Sequence, residues 1–255
     1  MRARPTVAKP LILFLDFDGT LVSIRRHPSL VSLPPARRRF LKQFSSRPGV
    51  RIVVISGRAL PDLKQKASIS GLYYVGNHGL QMEGPGIRYL HPAARNGRKV
   101  LAKIARAIQT AVRGIPGVWL ENKQLSLSLH FRQASAAGKK QARIRFFKIV
   151  TPHAIAGRVR VTGGKQVLEL RLPVDWNKGE AARWLLKRWI PRRSGSPVVM
   201  AAGDDQTDED LFRAVPRSGI SIFVGEKPAF TRARYRVNSC ADLYRFLREL
   251  SAITT

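Results

Sequence analysis

Two aspartates separated by one residue, Asp16 and Asp18, follow the apolar run at residues 11–15 and precede Gly19 and Thr20. In an extended chain alternate side chains share a face, so the two carboxylates point the same way and Phe17 points the other. Carboxylates at the end of a buried strand are costly unless something uses them. A divalent cation or a reacting phosphoryl group would do so. Asp, Gly and Thr also suit an ordinary turn before a helix, so these residues do not decide the matter alone. A second acidic group stands at 203–210, GDDQTDED, with five acids within seven residues of a chain whose net charge is +30. Asp208, Glu209 and Asp210 fit the first turn of a helix, while Asp204 and Asp205 fall on the loop that ends a strand. Hard oxygen donors gathered in this way suit Mg²⁺.

Three further segments carry groups of complementary chemistry. The apolar stretch 52–55 runs into Ser56, Gly57 and Arg58. Gly57 would let backbone N–H groups approach an anion closely, although Ser56 as the N-cap of an ordinary strand-to-helix turn explains the same residues. Asn77 and His78 follow a third apolar stretch at 73–75. His78 could be a ligand, an acid/base group or a structural histidine, and a structural or substrate-orienting role is favoured. Lys178 comes directly after Asn177, a helix-capping residue type. A lysine in a first helical turn opposes the helix dipole, and a phosphate held beside that helix end would account for it.

These groups must be positioned by strands that end together. Residues 11–15, a helix at 36–45 and the strand 52–55 form a β-α-β unit, which implies a parallel, right-handed connection. The strand before GDDQTDED and another at 220–224 extend the pattern. The fold expected is α/β, a doubly wound parallel sheet over residues 11–87 and 174–255. Ligands of such sheets sit at the carboxyl ends of the strands, where Asp16, Ser56, Asn77 and Asp204 all fall. Between the two halves the order changes to helix (95–112), two strands, helix (135–150), two strands. This αββαββ order predicts an inserted α+β domain at 88–173, while residues 1–10 read as a basic tail.

The insert carries eighteen Lys and Arg against two acids, Glu121 and Glu169, and so supplies +16 of the +30. Such a basic face would attract a phosphorylated substrate. Both acids lie in or beside alternating segments: Leu125, Leu127, Leu129 and Phe131 alternate with Ser126, Ser128, His130 and Arg132. Leu168, Leu170 and Leu172 alternate with Val167, Glu169 and Arg171, and Lys165 stands just upstream. Each pattern describes a strand with one packed face and one polar face, equally a binding surface or a solvated one.

Composition excludes other classes. Cys240 is the only cysteine, so an internal disulfide is excluded; it is expected to be an inert packing residue away from any motif. The N-terminal region lacks a secretory pattern and no segment is long enough to span a membrane, so a cytoplasmic protein is expected. The basic clusters at 37–39, 139–140 and 192–193 come without zinc-finger spacing or interleaved aromatics. Charge alone then implies weak, salt-sensitive polyanion binding by a solvated basic surface.

The DFDGT segment with Asp16 and Asp18, the SGR segment with Ser56, Lys178 and GDDQTDED, in this order, resemble the core motifs of the haloacid dehalogenase superfamily. Within it, GNHG (76–79), ENKQLSLSLHFR (121–132), GKQVLEL (164–170) and NKG (177–179) resemble the trehalose-6-phosphate phosphatase family, over about residues 11–250. The resemblance implies a Rossmann-like core with a cap that sets specificity. It also implies a monomeric, Mg²⁺-dependent phosphatase that hydrolyses trehalose 6-phosphate, the last step of trehalose biosynthesis. Asp16 would be the nucleophile and Asp18 the acid/base. Thr20, Ser56, Gly57 and Lys178 would hold the phosphoryl group. The metal would be held by Asp16, the backbone carbonyl of Asp18 and Asp204, with Asp205 and Asp208 in support. Arg58, Asn77, His78, Glu121, Lys123, His130, Arg132, Lys165 and Glu169 would bind the sugar. The alternatives are a related sugar or glucosyl/mannosyl-glycerate phosphatase with the same core, a nucleic-acid phosphatase, and a non-catalytic polyanion-binding protein.

Overall fold

Strand β1 spans Leu11–Asp16, and all six of its residues are buried. The computed structural model describes residues 9–25, 27–164, 166–190, 196–226 and 230–253. From β1 the chain continues through α1 (Pro35–Ser45), β2 (Val50–Ile55), α2 (Leu60–Ala67), β3 (Tyr73–Gly76), β4 (Gln81–Gly84) and β5 (Ile87–Leu90). Then come α3 (Pro92–Val112), β6 (Trp119–Asn122), β7 (Ser126–His130), α4 (Ala136–Ile155), β8 (Arg160–Gly164) and β9 (Val167–Arg171). The chain closes with α5 (Lys178–Trp189), β10 (Val198–Gly203), α6 (Glu209–Ala214), β11 (Ile220–Val224), β12 (Tyr235–Val237) and α7 (Cys240–Ile253). Two compact units result, one built from the segments up to Tyr89 and from Trp176 onward, the other from Leu90–Asp175.

The first unit is organised on an eight-stranded sheet in the order β12-β11-β10-β1-β2-β3-β4-β5. β12 through β3 pair in parallel, and β4 joins β3 antiparallel. A parallel sheet needs cover on both faces, and alternate residues of β1 supply both cores. Leu11, Leu13 and Leu15 pack with Leu41 and Phe44 of α1, Leu63 of α2 and Leu243 and Leu247 of α7. Ile12 and Phe14 pack with Ala181, Ala182 and Leu185 of α5 and Leu211 and Phe212 of α6. This is the doubly wound α/β arrangement read from the apolar runs. The β4–β5 hairpin was not expected, although Gly84-Pro85-Gly86 is a hairpin-turn composition.

In the second unit the order is α3-β6-β7-α4-β8-β9, with an antiparallel sheet β6-β7-β9-β8. α3 packs against α4, β6 and β7 and buries Leu101, Ile104, Ile108 and Val112. α4 continues past the expected end at 150, through Pro152, to Ile155. Proline lacks the amide donor, so this last turn forgoes one hydrogen bond but keeps its course. No helix among the described residues is long and apolar enough to cross a membrane.

Candidate active site

The carboxyl ends of β1, β2, β3 and β10 carry the chemistry of the first unit. Asp16 closes β1 and is 4% exposed. Lys178 opens α5, where the Asn177 side chain caps the helix by accepting from the Glu180 amide. Its ammonium donates to Asp16 Oδ1 at 2.7 Å and to Asp208 Oδ1 at 2.8 Å. The cost of a lysine in a first helical turn is thus met by two carboxylates. Asp208 is fully buried. Its other oxygen accepts from the backbone amides of Asp204 and Asp205, at 3.0 and 3.2 Å, and so folds the loop after β10 around itself.

Donor oxygens of Asp16, Asp204 and Asp208 all lie within 4.8 Å of one another. Three carboxylates this close resist ionising together. Burial raises the pKa of Asp16 well above the usual carboxylate value, and Asp208 and Asp204 add to that rise against the opposing pull of Lys178. Burial, with the charges of Asp208 and Asp205, pushes Asp204 up to about 7. Burial likewise lifts Asp208 to about 6, against the opposing pull of Lys178. Burial disfavours the Lys178 ammonium, but Asp16 and Asp208 overcome this and hold its pKa above the ordinary value. A hard divalent cation fits this set, because it satisfies clustered carboxylate oxygens and relieves their mutual repulsion. Asp16 and Asp204 are the members with oxygen capacity to spare, since both oxygens of Asp208 are already engaged.

Gly19 is required by the same cluster. It takes φ +86°, and a Cβ there would lie 2.0 Å from Asp204 Oδ2. Thr20, read as a phosphate-holding group, is buried and donates to Asp204 Oδ1 at 3.3 Å. Asp205 is exposed and caps the turn 206–208, accepting from the Thr207 amide and hydroxyl, both at 2.7 Å; its carboxylate is outside the acidic triad. Cys240 is buried as expected, but not remote from the motifs, since its thiol donates to the Gly19 carbonyl at 3.2 Å.

Asp18 turns away from the triad toward Arg58, which donates from Nε to Oδ2 at 2.6 Å and from Nη2 to Oδ1 at 2.7 Å. Arg58 is 6% exposed, and its Nη1 donates to Asp62 at 2.7 Å. Burial opposes the guanidinium charge, but Asp18 and Asp62 more than compensate and raise its pKa. Ser56 is buried at the end of β2 and accepts from the Arg58 amide at 3.2 Å. Asn77 and His78 both adopt left-handed backbone conformations, φ 51° and 55°. Their amides donate to the carbonyls of Arg58 and Ser56, at 2.7 and 3.1 Å, and so bolt the two strand-end loops together. Gly57 has no room for a side chain, because a Cβ would lie 2.5 Å from the His78 ring. Asn77 Oδ1 is buried with no hydrogen-bond partner among the described residues.

The second unit assembles its own polar cluster through strand register. Glu121 of β6 and Glu169 of β9 both stand opposite Ser128 of the intervening β7. Ser128 stands between the two glutamates, and both it and Ser126 are only 2% exposed although they lie on the polar face. Lys123 reaches Glu169 at 3.3 Å and Glu121 at 3.9 Å. His130 Nε2 lies 2.9 Å from Glu121 Oε2, and its ring stacks on Trp119 with centroids 4.0 Å apart. Arg132 is not on the strand; it lies exposed in the turn after β7. Lys165 falls outside the described residues. Arg171, absent from the sequence-derived set, donates through Nε to Glu169 at 2.7 Å. Its signal was available, since residues two apart on a strand share a face.

Residues 14–239 match the family model of trehalose-phosphatase. The chain is 34% identical over 256 residues to the trehalose-phosphate phosphatase of Mycobacterium marinum, across 97% of this chain and 63% of that protein. It thus spans just under two thirds of that relative's length. The C-terminal domain of the Candida albicans trehalose-6-phosphate phosphatase superposes with a TM-score of 0.78 at 25% identity, covering 96% of this chain and 92% of that one. A trehalose-6-phosphate phosphatase related protein gives a TM-score of 0.81 at 24% identity, over 95% and 97% of the two chains, and this likeness speaks for the fold.

Proposed function

As the chain belongs to the trehalose-phosphatase family, we propose that it is a phosphoric monoester hydrolase that converts trehalose 6-phosphate to trehalose and phosphate. The observation that carries this reading is the placement of Asp16. It is a buried carboxylate at a parallel-strand end, gripped by Lys178 at 2.7 Å and set among Asp204 and Asp208. Asp16 attacks phosphorus and forms an aspartyl-phosphate. Asp18 protonates the sugar oxygen as it leaves, then takes a proton from the water that hydrolyses the intermediate. Lys178, Ser56 and Thr20, with the backbone at Gly57, hold the phosphoryl oxygens.

Asp16, the backbone carbonyl of Asp18 and Asp204 would hold Mg²⁺, with Asp208 and Asp205 bracing the loop. When bound, the ion supplies the positive charge that lets an anionic carboxylate approach an anionic phosphate. The sugar is recognised by the polar sheet face of the second unit, where Glu121, Lys123, His130 and Glu169 offer acceptors and donors for hydroxyls. Arg58 holds Asp18 through its side chain, and the backbone amides of Asn77 and His78 brace the Arg58 and Ser56 carbonyls, which supports a role in orienting the phosphate-side groups. A cytoplasmic, monomeric enzyme is the form proposed.

The test is phosphate release from trehalose 6-phosphate and a panel of other sugar phosphates, with Mg²⁺, with EDTA, and with Asp16→Asn. Selective release that needs Mg²⁺ and disappears in Asp16→Asn is the expected result. Release from other esters but not from trehalose 6-phosphate would overturn the substrate and keep the phosphatase.

A further inference from the structure

We propose that Asp62 is a positioning residue for Asp18 and acts through Arg58. This rests on Asp18 being the group that hands a proton to the leaving oxygen. Asp62 lies in the first turn of α2, four residues from Arg58. Arg58 presents a planar fork, and three of its edges are used at once. Nε and Nη2 take the two oxygens of Asp18, Nη1 takes Asp62 at 2.7 Å, and Nη2 also donates to the Pro28 carbonyl at 3.1 Å. The guanidinium carbon sits 5.6 Å from the centroid of the buried Phe17 ring. A two-point pair fixes the plane of a carboxylate as well as its distance. The plane of Asp18 is therefore the plane of Arg58.

Arg58 side-chain exposure is 7%, whereas Asp18 and Asp62 are 35% and 37% exposed. The buried cation is thus the rigid member, and the two carboxylates meet it from the solvent side. With Asp62 removed, Nη1 loses its acceptor and the fork can turn about its remaining contacts, taking the Asp18 carboxylate with it. An acid in the first turn of α2 also favours the helix dipole, and that role alone would predict loss of stability without change in the chemistry.

The leaving group separates the two roles. As the phosphorus–oxygen ester bond of trehalose 6-phosphate breaks, its electron pair goes to the sugar oxygen. That oxygen takes the Asp18 proton while the bond from Asp16 to phosphorus forms. A 4-nitrophenyl ester leaves as a stable phenolate and needs no proton. Single-turnover rates of phosphoryl transfer should be measured on both esters, with Mg²⁺, for the full chain and for Asp62→Ala and Asp62→Asn. Only the ratio of variant to parent rate on each ester is read, so a slow parent rate on the aryl ester suffices. Asp62→Ala is expected to lose about tenfold or more on the sugar ester and under about threefold on the aryl ester. Asp62→Asn, which keeps an acceptor oxygen, should recover most of that loss. If Asp62→Ala fails to fold, Asp62→Leu carries the same comparison, because leucine keeps the approximate shape and offers Nη1 no acceptor. Equal losses on both esters, or none on either, would overturn the proposal. A parent chain inactive on both esters would instead overturn the phosphatase reading beneath it.

Discussion

Two lysines in this chain each stand between two carboxylates, one in each unit. Lys178 lies 2.7 and 2.8 Å from Asp16 and Asp208, with side chains 4%, 5% and 0% exposed. Lys123 lies 3.3 and 3.9 Å from Glu169 and Glu121, with side chains 13%, 13% and 23% exposed. The chemistry of the groups is alike and the setting differs. The first triad is dry, tight and held by a capped helix and two parallel strands. The second is looser, partly solvated and built on a small antiparallel sheet. Dry charges interact strongly and cannot lose a partner cheaply, which suits a nucleophile that must be fixed to a fraction of an ångström. Looser charges can exchange one partner for a sugar hydroxyl at modest cost, which suits recognition.

The sharpest way to break this contrast is to remove each lysine in turn. Lys178→Met leaves Asp16 and Asp208 facing each other in the interior, and about 3–5 kcal/mol of stability should be lost in the metal-free protein near neutral pH. That loss should shrink at lower pH, as the carboxylates take up protons. Activity should fall by at least about 10²-fold, as for loss of one preorganised donor to a reacting oxyanion. Lys123→Met should cost no more than about 1 kcal/mol, with the damage confined to KM for the sugar phosphate. Denaturant melts beside steady-state kinetics check both; equal destabilisation by the two variants would end the comparison.

Glu169→Ala should separate recognition from chemistry. Glu169 takes Lys123 and Arg171, so its loss removes one carboxylate from each of these cations and one acceptor from the polar face. Activity on trehalose 6-phosphate should drop about 10²-fold while activity on a small phosphate ester stays within about threefold. A parallel fall on both substrates would place Glu169 in the fold or the chemistry instead.

A further effect is thermodynamic. The pKa values of Asp204 and Asp208 are raised to about 7 and about 6. A carboxylate whose folded pKa is raised destabilises the fold as pH climbs from its unfolded value near 4 through the folded one. The metal-free protein should therefore lose stability from about pH 4 to pH 7. Mg²⁺ displaces those protons, so its affinity should rise with pH over the same range. The gain in Tm from Mg²⁺ should be larger at pH 7.5 than at pH 5.5, and a gain independent of pH would mean that the ion binds elsewhere.

Much of the site was legible before folding because strand ends announce themselves. Unbroken apolar runs that stop at Asp16, Ser56 and Asn77 identify buried parallel strands, and the acids after β10 stand out against +30 of net charge. The αββαββ order of the second unit was legible for the same reason, since helical and alternating periods are properties of short segments. Partners distant along the chain were not. Nothing local pairs Asp18 with Arg58, forty residues apart, or seats Lys178 between Asp16 and Asp208. Arg132 was read onto the polar face of its strand, yet β7 ends at His130.

The sequence by itself determined which residue types close each strand, which faces of the small sheet are polar, and that acids gather just after two of the buried strands. The tertiary structure decided who meets whom. Period two tells a side chain its face but not its neighbour across the sheet. Only the pairing of β6, β7 and β9 sets Glu121, Ser128 and Glu169 in one row. Only the close approach of the loops after β1, β2 and β10 turns separate aspartates into a triad beside Lys178 and a second carboxylate locked to Arg58. Those contacts depend on strand order and loop packing, which are set by burial of the whole core rather than by any short run of residues.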